Sequence, residues 1–181
     1  MDVFDLNTFQ FIKHDKLPSN YIEYPCFVSN SKNGQVQEMI KTNQRYKQIY
    51  QMLLFKHNTG ISIEYDEDNN TFQSQILPVC DNIATLFCYA YVCINDVILF
   101  FGGFSSDIVS NSVHKYSIRE NKWMTFQNTL PSPLCKCVAI LSEDNTYVHI
   151  IGGASEKQVT STHIKTEVRE WLSEEEMKKK N

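Results

Sequence analysis

The stretches Val97-Ile-Leu-Phe-Phe-Gly-Gly103 and Tyr147-Val-His-Ile-Ile-Gly-Gly153 decide how this chain folds. Each is an apolar run of strand length that ends in a glycine doublet. The doublets Gly102–Gly103 and Gly152–Gly153 lie 50 residues apart. A pattern that recurs at a fixed spacing of this size marks a stacked repeat, in which each unit buries its face against the next. Glycine at a strand end admits φ > 0 and lets a neighbouring backbone approach closely, which a side chain would block.

The same period organises the residues around the doublets. Tyr65 precedes Phe72 by seven residues, and Tyr116 precedes Trp123 by seven. An Asn-x-aromatic step recurs as Asn7-Thr-Phe9, Asn70-Thr-Phe72 and Asn121-Lys-Trp123, and each is followed by Leu-Pro, at Leu17-Pro18, Leu77-Pro78 and Leu130-Pro131. His114 and His163 stand 49 apart, as do Cys88 and Cys137, and Trp171 falls where Trp123 predicts an aromatic. Tyr and Trp bring a large apolar body with one polar atom that can bond an adjacent loop. Asn and Asp suit tight turns, and Pro ends strand pairing. The expected role of Tyr65, Phe72, Gly102, Gly103, Tyr116, Trp123, Gly152, Gly153 and Trp171 is therefore structural.

This set of features resembles the kelch repeat, whose unit is one four-stranded blade of a β-propeller. The resemblance covers roughly residues 1–172 and is strongest for the units ending at Gly103 and Gly153. In the first unit Lys56-His57 take the doublet position, and the Arg usual after Leu-Pro is absent. The resemblance implies an all-β fold, a partial kelch-type β-propeller. The strand after Leu-Pro would lie innermost, then the Gly-Gly strand, the Tyr strand and, outermost, the Trp strand. Three four-stranded blades are expected, at about 24–76, 83–126 and 135–172, and Val3–Ile12 matches only an orphan outer strand whose partners would lie upstream of Met1. Propellers close with roughly four to eight blades, because closure hides their edges. Three readings stay open: the carboxy-terminal part of a longer propeller, closure with a second copy to about six blades, or an open arc.

Composition narrows the function classes. The net charge is −4, no segment is long and apolar enough for a membrane span, and the amino terminus lacks a secretory pattern. These features lead to the expectation of a cytoplasmic chain with its six cysteines reduced. Cys135-Lys-Cys137 would set two thiols on one strand face, but no CxxC or partnering histidine accompanies them, so no metal and no cofactor is expected. The acidic balance argues against nucleic acid as a partner. Asp66-Glu67-Asp68 lacks the spacing of a calcium loop and reads as a solvated turn.

The largest departure from the repeat is an insertion at 29–49, locally basic through Lys32, Lys41, Arg45 and Lys47 against Glu38. Long excursions between strands are where repeat scaffolds dock partners. Lys41, Arg45, Tyr46 and Lys47 are the candidate contacts to an acidic partner, with Met39 and Ile40 as further anchors. The turns at Ser105-Ser106-Asp107 and Ala154-Ser155-Glu156-Lys157 are weaker candidates. At the carboxy end Ser173-Glu-Glu-Glu176 spells a capping box and Lys178–Lys180 follow, so a short helix is expected over the charged tail 173–181.

The histidines at 14, 57, 114, 149 and 163 show no ligand spacing, and no nucleophile elbow, phosphate-cradling loop or zincin motif is present. The expectation is a non-catalytic protein-interaction scaffold that binds through its inter-strand loops. The resemblance implies partners such as adaptor, cytoskeletal or ubiquitin-ligase components, although no BTB-like or F-box-like segment accompanies the repeats. The alternative is a propeller-fold enzyme, whose site would need a complete disc.

Overall fold

Short apolar runs bounded by Asn, Asp, Gly and Pro favour strands over helices. The computed structural model, which describes residues 1–18, 22–29, 49–155, 159 and 161–178, is built almost wholly of antiparallel strands. The chain opens with a hairpin of β1 (Asp2–Asp5) and β2 (Gln10–His14). Blade 1 is a four-stranded meander of β3 (Cys26–Ser29), β4 (Ile49–Lys56), β5 (Thr59–Asp66) and β6 (Thr71–Leu77). One helical turn, α1 (Asp81–Ala84), leads into blade 2. There β7 (Ala90–Ile94) and β8 (Val97–Phe101) are followed by a small ribbon, β9 (Phe104–Ser105) and β10 (Ile108–Val109). The sheet then resumes with β11 (Val113–Ser117) and β12 (Lys122–Thr125). Blade 3 contains β13 (Val138–Leu141), β14 (Tyr147–Ile151) and β15 (His163–Glu167), and the chain ends in a 3-10 turn (Val168–Glu170) and α2 (Glu174–Lys178).

Two expectations about strand number need correction. The amino-terminal segment forms a hairpin rather than a lone outer strand, because Asp5 Oδ1 accepts from the N–H groups of Asn7 (2.8 Å) and Thr8 (3.3 Å) and closes a turn. Phe9 takes the left-handed position of that turn (φ 54°), as Asn70 (50°) and Asn121 (53°) do in blades 1 and 2. The aromatic matching Phe72 and Trp123 is thus Phe11, which faces Phe4 edge-on at 5.4 Å. Among the described residues blade 3 has three strands, without the expected outer one. The residue two before Trp171 is Arg169, which lacks the tolerance of Asn for the left-handed turn. The chain winds into the 3-10 turn instead.

Sheet register explains two further differences. The rows beside the doublet position are Cys26–Phe55–Gly60, Ala90–Phe101–Val113 and Val138–Ile151–His163. His163 therefore matches Val113, and His114 matches Ile164. A one-residue offset moves a side chain to the opposite face of a strand: His114 is buried and His163 exposed. Cys88 similarly matches Lys136, not Cys137.

Three apolar clusters join the layers. Leu54, Ile61 and Ile63 pack with Met1 and Leu17 between hairpin and blade 1. Leu53, Phe55, Ile98, Phe100 and Tyr116 fill the seam between blades 1 and 2. Leu99, Phe101, Val148, Ile150 and Trp171 fill the next seam, with Met177 of α2 against them. The expected helix is present with its capping box: the Ser173 N–H donates to Glu176 Oε2 (2.8 Å) and the Glu176 N–H to Ser173 Oγ (3.4 Å). It is more than a solubilising tail. Glu176 pairs with Lys115 of β11 (2.9 Å), and the Asn95 amide donates to the Glu176 carbonyl (2.8 Å).

Candidate interaction surfaces

The repeat aromatics are consumed in the seams. Phe55 of blade 1 meets Tyr116 at 4.7 Å and Trp123 at 5.1 Å between ring centres. The Tyr116 hydroxyl donates to Asn121 Oδ1 (2.6 Å), and Trp123 Nε1 donates to the Pro78 carbonyl (2.8 Å). The pattern recurs one seam later: Phe101 packs edge-on against Trp171 (6.0 Å), whose Nε1 donates to Thr166 Oγ1 (2.9 Å). In blade 1 the Tyr65 hydroxyl donates to Asn70 Oδ1 (3.1 Å), and its ring lies 4.7 Å from Phe72.

The first glycine doublet closes the seam between blades 2 and 3, where Leu134 lies. Gly102 has φ 66° and Gly103 φ 119°, and the Gly103 N–H donates to the Leu134 carbonyl (2.9 Å). A Cβ on Gly102 would lie 2.0 Å from that carbonyl oxygen. Gly152 repeats the conformation (φ 73°), yet nothing lies within 4 Å of its Cβ direction.

Titratable groups inside the blades are held in unreactive forms. Burial lowers the pKa of His114 to about 4, and its two ring nitrogens face Ser112 Oγ (2.8 Å) and Thr125 Oγ1 (3.0 Å). A neutral ring donates from one nitrogen and accepts at the other, so both hydroxyls are satisfied. Because the folded pKa lies below the unfolded value near 6.5, the unfolded chain binds more protons between pH 6.5 and 4. Stability is present above pH 6.5 and lost as pH falls through that window, by about 3 kcal/mol at most. Urea titrations at pH 7 and 4.5 should show this slope, and His114→Gln should flatten it; an unchanged slope in the variant would assign it to other groups.

Burial also raises the thiols. Cys93 and Cys137 are pushed up to about 11, and Cys26 is raised well above its ordinary value, mainly by burial. Cys135 and Cys137 do not share a face: Lys136 between them takes φ 56°, Cys135 joins Cys88 in one cluster, and Cys137 lies in the seam of blades 2 and 3. Among the described residues no three His, Cys, Asp or Glu side chains come together as metal ligands. The acidic stretch is partly structural. Asp66 is buried with both oxygens on Asn69, and Glu67 accepts from the Tyr50 hydroxyl (3.1 Å); Asp68 is exposed.

What the blades leave outside are loops and two flanks. Lys41, Arg45, Tyr46 and Lys47 lie outside the described residues, as do Glu156 and Lys157. Ser29, where the insertion begins, and Tyr50, just after it ends, border a largely apolar groove of about 560 Å³ lined by Phe27, Met52, Ile63, Tyr65 and Phe72. Ser105 to Asp107 form the tip of the β9–β10 ribbon, with Ser106 and Asp107 exposed at φ 42° and 71° and Ser105 half-buried. On the far flank, His149 Nδ1 and His163 Nε2 lie 2.8 Å apart with stacked rings. The sequence concealed this contact, since the residues are not cross-strand partners; only the register set by the glycine doublet places them diagonally on one face.

Packed antiparallel meanders with aromatic seams define the fold as a partial β-propeller. Residues 85–124, running from the approach to β7 into β12, match the family model of the kelch motif, so blade 2 is a kelch motif. No curated protein matches the sequence. Solved structures with a similar fold include the "Structure of YjhT", at 17% identity and a TM-score of 0.49, covering 58% of this chain and 31% of that one. The chain thus spans about a third of that structure's length. No helix among the described residues is long and apolar enough to cross a membrane.

Proposed function

We propose that this chain is a non-catalytic scaffold that binds protein partners through the loops at its blade ends, the insertion at 29–49 foremost. The supporting observation is that the repeat side chains are spent on packing: Tyr116, Trp123, Trp171 and His114 all have their polar atoms engaged inside the fold. Variable contact chemistry is left to the connections. The insertion begins at the end of β3 and returns at the start of β4, carrying four cations against one acid. Its partner is an acidic protein surface. A reducing, cytoplasmic setting fits six free cysteines, four of them buried.

The test uses a fluorescent peptide alternating Glu with Phe as the acidic probe, followed by anisotropy. Replacing Lys41, Arg45 and Lys47 together with alanine should weaken binding by roughly tenfold, as expected for exposed charge pairs, and raised salt should mimic the effect. Equal binding by the wild type and the triple variant would remove the insertion from this role.

A further inference from the structure

We propose that two copies of this chain pair edge to edge through β6, the outer strand of blade 1, as antiparallel neighbours related by a two-fold axis at Ser74. This interface is separate from binding through the insertion.

β6 ends the four-stranded order of blade 1, and among the described residues no strand pairs with its far side. Alternate residues along such a strand turn their N–H and C=O groups outward, where another strand can take them up. A blade's outer strand borders solvent whether or not further blades flank it, and propellers ordinarily keep these edges short or guarded. The other outer strands follow that rule. β2 carries Lys13 and His14, and β12 is four residues long, carries Lys122 and follows Arg119 and Glu120. β6 does not. Its seven residues, Thr71-Phe-Gln-Ser-Gln-Ile-Leu77, hold no charge, no Pro and no Gly. An uncharged run of this length is an open template for pairing. All but Phe72 and Leu77 are exposed, Ile76 to 63%.

The sequence of the strand selects a second copy as the occupant. It reads nearly the same in both directions about Ser74: Gln73 and Gln75 flank the centre, and the apolar Phe72 and Ile76 stand outside them. β6 runs beside β5 without a bulge from Asp66↔Thr71 to Gly60↔Leu77, so its side chains alternate strictly. Gln73 and Gln75 share one face, and Phe72, Ser74 and Ile76 share the other. An antiparallel two-fold centred on Ser74 sets Gln73 opposite Gln75 of the second copy, and Phe72 opposite Ile76 of the second copy. Amide then meets amide on one face, and an aromatic ring meets a β-branched side chain on the other. A register shifted by one residue would set Phe72 against Gln75 and forfeit both pairings.

Nearby charges do not oppose this arrangement. Glu64, the partner of Gln73 on β5, lies one strand inward. Its two copies would stand three strand spacings apart, about 14 Å, beyond the screening length in physiological salt. Lys13 holds the Asn70 carbonyl (2.7 Å) just before the strand, and the antiparallel two-fold sends the two lysines to opposite ends of the ladder. The product is one continuous sheet, with four strands from each copy. A two-fold contact is isologous and uses up both edges, so assembly stops at the dimer.

Sedimentation velocity on the full chain tests the proposal. The wild type should pass from monomer to dimer with rising concentration and go no further. Gln73→Lys and Gln75→Lys together should weaken dimerisation roughly tenfold, because each lysine then faces another across the axis. Gln73→Glu with Gln75→Glu should do the same. Mixing the two double variants should restore a 1:1 heterodimer, each lysine now opposite a glutamate. Both positions are exposed, and circular dichroism verifies folding. If either double variant fails to fold, Ser74→Lys and Ser74→Glu, at the one position that faces itself, replace the pair. A wild type that stays monomeric overturns the proposal and leaves the edge to a strand from another protein. Variants that dimerise like the wild type, a mixture that stays monomeric while the wild type dimerises, or growth beyond the dimer overturn it as well.

Discussion

Gly102→Ala is expected to destabilise the chain by about 4 kcal/mol or more, whereas Gly152→Ala should cost only about 1 kcal/mol. Both positions hold φ near 70°, where an L-residue is strained by roughly 1–2 kcal/mol. The difference lies in what surrounds the missing Cβ. At Gly102 it would sit 2.0 Å from the Leu134 carbonyl oxygen, a backbone atom, and Leu134 is held by its N–H on the Ser110 carbonyl (3.0 Å). Neither partner can retreat without breaking the Gly103–Leu134 hydrogen bond. At Gly152 the space is empty. Thermal melts should separate the variants by roughly 10 °C. Equal melting temperatures would show that the doublet matters only for its backbone angles.

Phe55→Ala should cost about 3–5 kcal/mol, the range for a fully buried aromatic whose cavity cannot collapse. Its ring has Phe100, Tyr116 and Trp123 within 6.0 Å of its centre and is 1% exposed. Those neighbours are themselves pinned, Tyr116 by Asn121 and Trp123 by the Pro78 carbonyl, so the seam has little freedom to refill. Phe9→Ala, removing a ring that is 84% exposed, should stay within about 0.5 kcal/mol. Urea denaturation compares them directly. A similar loss at both sites would mean that the hairpin ring is covered in solution.

The features legible from sequence were those where a backbone demand admits few residues. Glycine doublets, Asn at the turns and an aromatic pair at a spacing of seven all answer such demands; blade 2 meets all three, and blade 1 keeps the Asn and the aromatic pair Tyr65–Phe72 with Lys56-His57 in the doublet's place. Where the demand tolerates any residue the signal vanished. Tyr24, Cys88 and Lys136 each bend the chain at the same point before an inner strand, with φ of 50°, 54° and 56°, yet they share no chemistry. Thr166 stands two residues from where the tyrosine spacing would look for a partner to Trp171, and it accepts the indole N–H all the same. His114 and His163 show the limit of counting: 49 residues rather than 50 was enough to send one inward and the other to the surface. The stacked pair His149–His163 and the packing of α2 depend on tertiary register, which no local pattern encodes.

The carbonyl that seals Gly102 belongs to Leu134, which follows the Leu130-Pro131 step that opens the next unit. A boundary drawn through the repeat in the sequence therefore cuts across a joint in the folded chain. Fragments trimmed at that step should come away with a torn edge, and a cut just beyond residue 135 would fare no better, because Cys135 exchanges backbone hydrogen bonds with Ala154 of the next unit while Lys136 reaches back to the Cys88 carbonyl.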